Sequence, residues 1–64
     1  MWAKKVTNKI ANEVADAILY ARKIGASEGS AAITAARRHQ LNIQETYQVG
    51  VRGRWIVNSR FNEK

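Results

Sequence analysis

The 64-residue chain contains no cysteine and no proline. Without thiols, neither a disulfide nor a thiolate metal site braces it. His39 is the single histidine, which excludes a structural zinc site as well. Acidic residues are few: five Asp and Glu stand against eleven Lys and Arg, and Asp16 is the only aspartate. No apolar run reaches transmembrane length. "MWAKKVTNK" has no apolar stretch behind its lysines, so no secretory signal is expected, and the chain is expected to be cytoplasmic with no membrane partner.

These scarcities also remove most chemistry. No Gly-rich phosphate loop and no nucleophile elbow is present. Ser27, Ser30 and Ser59 fall at helix caps or in the tail. His39 with an arginine is the one combination of phosphodiesterase type; at a helix end, it is expected to be an ordinary surface residue. We therefore expect no enzyme, no cofactor and no catalytic residues.

What the chain has is positive charge: a formal +6, with a pI near 10.4. Such an excess selects polyanionic partners, meaning DNA, RNA or an acidic protein face. Residues 1–32 hold five Lys and Arg against three Asp and Glu; residues 33–64 hold six against two. The second half is rich in arginine, at Arg37, Arg38, Arg52, Arg54 and Arg60. The planar guanidinium fork suits phosphate and guanine edges, where lysine would serve equally for solubility alone.

One domain, residues 1–64, is expected. A chain of this length buries only about 60% of its unfolded surface. Ten of its apolar residues are alanine, so its core is thin and self-association is a natural supplement.

The segment Val6–Gly25 places Val6, Ile10, Val14, Ala17 or Ile18, Ala21 and Ile24 on one helical face. Thr7 or Asn8 can cap its start, Arg22 and Lys23 suit its last turn, and Gly25 suits its exit. "SEGSAAITAARRHQLN" predicts a second helix, capped by Ser27 or Ser30 and stopped near Asn42. In "IQETYQVGVRGRWIVNSRF" β-branched and aromatic residues take over, and the apolar period reads as two. That predicts a β-hairpin with Arg52-Gly53-Arg54 at its tip, Val51 opposite Trp55 and Val49 opposite Val57. A two-residue Arg52-Gly53 turn is the alternative register. The expected fold is therefore α+β, a two-helix N-terminal unit packed against a C-terminal β-hairpin (ααββ).

In that arrangement Trp55 is expected to lie under the hairpin as core; exposed, it would be a stacking residue. Trp2, beside Lys4 and Lys5, is expected to pack on the first helix, and Phe61 to fold back on the core.

"VGVRGRWIVNSRF" resembles the wing of small excisionase-type DNA-binding proteins, and "AARRHQLNIQETY" resembles a stretch common in helix-turn-helix proteins. The resemblance, to winged helix-turn-helix proteins, covers the C-terminal half. It implies that Leu41 is the buried turn residue, that Asn42, Gln44 and Glu45 open a recognition helix, and that Arg52 and Arg54 form a wing tip. Gln40 stands where glycine is usual, and Thr46 where a large aliphatic residue is usual. If residues 43–49 are strand, helix 2 with Arg37 and Arg38 becomes the binding element instead.

The expected function is non-catalytic nucleic-acid binding, DNA before RNA. Arg37, Arg38, Arg52, Arg54 and Arg60 would contact phosphate; Gln44 and Gln48 would contact bases or sugars. The alternative is a small inhibitor, adaptor or assembly subunit that offers the same arginines to an acidic face of another protein, a role suited to the compact basic chains of phages and mobile elements. A hairpin edge could then add a strand to the partner.

Overall fold

The computed structural model describes residues 5–62, with side chains through residue 60. Trp2, Lys4 and the Phe61 side chain lie outside that range. The first helix, α1, spans Asn8–Ile24. Thr7 caps it, its Oγ1 accepting from the Ile10 N–H at 3.3 Å. Gly25 closes it in the left-handed region at φ 76°, and the Ala26 N–H wraps back to the Ala21 carbonyl at 2.8 Å. Ala11, Val14, Ala15, Ile18 and Ala21 form its buried face. Ile24, expected on that face, is 58% exposed because the helix ends there.

The second helix, α2, spans Glu28–Arg37. Ser27 is its cap, accepting from the Ser30 N–H at 3.2 Å. It stops several residues before Asn42. The N–H groups of Arg38, His39 and Gln40 each reach the carbonyl three residues back, so the last turn tightens and ends. Gln40 then takes φ 55°, the left-handed conformation that a glycine would adopt more readily.

The expected ααββ fold is overturned beyond that point. Residues Ile43–Asn62 form one 20-residue helix, α3, and the described residues contain no strand. Neither the β-hairpin nor the wing exists; Arg52-Gly53-Arg54 lies mid-helix instead of at a loop tip. Asn42, expected as the stop of α2, is the cap of α3. Its Oδ1 accepts from the Glu45 N–H at 2.7 Å, and Glu45 Oε1 accepts from the Asn42 N–H at 2.9 Å. This reciprocal pair is a capping box.

Packing explains the error. Val49, Gly53 and Val57, four residues apart, are all buried against α1. The period-two pattern of Val49, Val51, Trp55 and Val57 is a coincidence of spacing. Val49 and Val57 face the core, Val51 is half-buried, and Trp55 is 59% exposed rather than core. Local β preference and two interior glycines disfavour a helix by a fraction of a kcal/mol up to ~1 kcal/mol per residue, and tertiary contacts outweigh that.

The core joins Val6, Val14, Ile18, Val49 and Val57 with Ala15, Ala32 and Ala36. Short connections send α2 back along α1. α3 then runs in the same sense as α1: Arg52 bonds to Asn8, and Arg60 to Asp16, pairs offset equally along both helices. Among the described residues no helix is long and apolar enough to cross a membrane.

Candidate nucleic-acid interface

The seven residues singled out from sequence do not gather on one face. Arg37 ends α2 and Arg38 follows it; both are exposed. Gln44, the second residue of α3, is exposed just across the turn. These three share one end of the bundle. Gln48 is half-buried and already engaged within the chain. Arg54 lies ten residues beyond Gln44, about 15 Å along the helix axis, in the groove between α2 and α3.

The remaining two line the seam of α1 and α3. Arg52 donates to Asn8 Oδ1. Arg60 donates through Nη1 to Asp16 Oδ1 at 3.1 Å and through Nη2 to Asn12 Oδ1 at 3.3 Å. Asn8, Asn12 and Asp16 recur every four residues along one edge of α1, which puts them on one line facing α3. Arg60 is thereby a structural cross-link. Arg52 is likewise engaged along this seam.

All four described carboxylates have internal duties. Glu13 meets His39 Nε2 at 2.8 Å, Asp16 meets Arg60, Glu28 meets Arg22 at 2.9 Å, and Glu45 closes the capping box. Arg22 holds the Glu28 carboxyl below its usual range, chiefly through their hydrogen bond; partial burial opposes that shift, and the nearby Arg22 and Arg54 charges add to it. His39, expected as a plain surface residue, is half-buried and ties the turn to α1.

The His39–Glu13 contact places the C-terminal end of α2 beside the N-terminal half of α1. Lys5 and Lys9 therefore lie at the same end as Arg37 and Arg38, and Arg52 reaches that end through Asn8. The N-terminus of α1 adds its partial positive charge there, whereas at α3 the Glu45 carboxylate of the capping box offsets it. Residue types alone gave no signal for Lys5 and Lys9; only the return of α2 along α1 unites them with the arginines. The result is a basic pole in which the cations outnumber the two nearby carboxylates, Glu13 and Glu45.

Comparison with protein-family models, with curated proteins and with solved structures finds no match to this chain. The site is defined by its own geometry. Among the described residues, no three His, Asp or Glu side chains gather where they could hold a metal ion.

A second feature lies along the side of the bundle. Ile43, Tyr47, Val51 and Trp55 form a ridge on α3, with Ile33 of α2 across a groove from it. Ile43 is 92% exposed and Tyr47 73% exposed. Gly29, Ala32 and Gly50 line the groove between them.

Proposed function

We propose that the chain is a non-catalytic nucleic-acid-binding module that grips duplex DNA, in preference to RNA, through its basic pole. The observation that supports this is the gathering of Lys5, Lys9, Arg37 and Arg38 at one end of the bundle, with Arg52 reaching it through Asn8, where these cations outnumber the nearby carboxylates Glu13 and Glu45. Phosphates would sit against these side chains and the N-terminal turn of α1. Gln44, exposed in the first turn of α3, would reach a base edge, its side-chain amide being suited to adenine. Glu45 takes no part, since the capping box holds it. Arg54 lines the α2–α3 groove instead, and Arg60 is tied to Asp16 and Asn12, so neither is assigned to the pole.

The helical start of α3 and the left-handed Gln40, where glycine is usual, favour the helix-turn-helix half of the resemblance; Leu41, expected as its buried turn residue, is half-buried. The wing has no counterpart in this proposal. A cytoplasmic location accompanies it.

Fluorescence anisotropy against duplex DNA, single-stranded DNA and RNA at two salt concentrations tests the proposal. Duplex should bind tightest, and affinity should fall steeply with salt as counterions return to the phosphates. Binding that hardly changes with salt sinks it.

One observation favours a second reading, an adaptor that meets an acidic protein face. Ile43 is almost wholly exposed beside the basic pole, and an aliphatic side chain gains more from a protein surface than from phosphate. A pull-down from nuclease-treated lysate separates the two: a stoichiometric protein partner that survives nuclease favours the adaptor.

A further inference from the structure

We infer that the groove between α2 and α3 is the seat of a second copy of this chain, giving a two-fold dimer. The inference does not depend on the nucleic-acid proposal.

The shape is self-complementary. Ile43, Tyr47, Val51 and Trp55 recur every four residues, the ridge that packs into the groove of a facing helix. The channel beside the ridge is lined by small residues: at Gly29 and Gly50 an added Cβ would meet nothing within 4 Å. A two-fold axis would set each ridge into the other copy's channel, so one match of ridge and channel is satisfied twice.

Charge favours the same occupant. Among the described residues Arg54 is the only charged one lining this groove, in a chain of formal charge +6. Two copies meeting here bring few like charges together. A polyanion or an acidic protein would find one cation here, against the cluster at the pole.

The monomer's core also leaves its apolar mass outside. The large side chains buried completely are Ile18, Val14, Val49 and Val57, whereas Tyr47 and Trp55 are mostly exposed. The described surface totals 4705 Å², and a standard interface takes about 800 Å² from each partner, about a sixth of that surface. A ridge running from Ile43 to Trp55 covers about 18 Å of helix, long enough for a helix-pair contact.

Sedimentation equilibrium of the full chain, from micromolar to millimolar, tests this. The mass should double and stop there, and Trp55 emission should shift to the blue as that ring leaves water. Raising salt should leave the dimer intact or tighten it, opposite to its effect on nucleic-acid binding. Gly50→Gln fills the channel with a good helix former; it should stay helical by circular dichroism and remain monomeric. If it loses helicity, Tyr47→Lys on the exposed ridge replaces it, with the same monomer expected.

A wild-type chain that stays monomeric throughout overturns the inference. So does a dimer untouched by a folded Gly50→Gln or Tyr47→Lys variant, or a mass that continues past two chains. A monomer that binds DNA would defeat only this inference; a dimer that binds none would defeat only the nucleic-acid proposal.

Discussion

Gly53 of α3 lies so close to Val14 of α1 that a Cβ built on it would stand 2.7 Å from Val14 Cγ1 and 3.2 Å from the Ala15 backbone nitrogen. This close approach sets how tightly the two longest helices meet. A β-branched side chain and a backbone atom fill the space, and neither swings aside easily.

Gly53→Ala should therefore destabilise the fold by about 1–3 kcal/mol, the usual cost of overpacking. This is the reverse of helix propensity, which favours Ala over Gly by ~1 kcal/mol. Gly50→Ala, where the added methyl meets open space, should raise stability by up to ~1 kcal/mol. Urea unfolding of both variants, at concentrations low enough to keep the chain monomeric, checks the pair. Equal effects in the same direction would remove the special role of Gly53.

The capping box of α3 replaces the missing strand signal. Asn42→Ala deletes the acceptor for the Glu45 N–H and should cost about 1 kcal/mol. Asn42→Asp keeps the acceptor and should restore most of it. Thermal melts followed at 222 nm would reveal both; an Asn42→Ala chain as stable as wild type contradicts the cap.

Acid should weaken the α1–α2 corner through Glu28. Its folded-state pKa lies below the ordinary glutamate value, mainly because Arg22 donates to it. The contribution is fully present above the unfolded-state pKa and disappears as pH falls through the lowered folded one. Melting temperature against pH should thus drop more steeply on the acid side for wild type than for Glu28→Gln. Both partners are at the surface, so the gap should be small. Parallel curves would show that the pair does nothing for stability.

At the basic pole, Arg37→Ala with Arg38→Ala should lower the salt slope of DNA binding by about 2, roughly 0.9 per lost phosphate contact. Stability should change by no more than about 0.5 kcal/mol, because both side chains are exposed. Arg60→Ala should leave the slope as it was, since that guanidinium already serves Asp16 and Asn12. An Arg60 effect as large as the double variant's would place the binding face along the α1–α3 seam instead.

Much of the N-terminal half was legible in sequence. The 3.6-residue apolar period of α1 agreed with its caps at Thr7 and Gly25, and Ser27 was one of two caps foreseen for α2. Signals at different levels coincided there. In residues 43–62 they conflicted. β-Branched residues, two glycines and an accidental alternation pointed to strands, whereas Asn42 and Glu45, three residues apart, marked a helix start that outranked them. The candidate site was half legible. Its arginines were visible as residue types, but their grouping was not. Arg60 and Arg52 became bonded along α1, and Lys5 and Lys9 joined Arg37 and Arg38 only through the fold.

The sequence by itself determined the charge excess, the absence of thiol chemistry, α1 with its caps, and a core thin in large side chains, because these depend on composition and on neighbours a few residues apart. The tertiary structure alone decided that Gly53 would be a contact rather than a turn. It also decided that Trp55 would face outward and that Val49 and Val57 would bury a helix face. Those outcomes depend on α1 lying against α3, an interaction between residues about 40 positions apart, which no local propensity encodes.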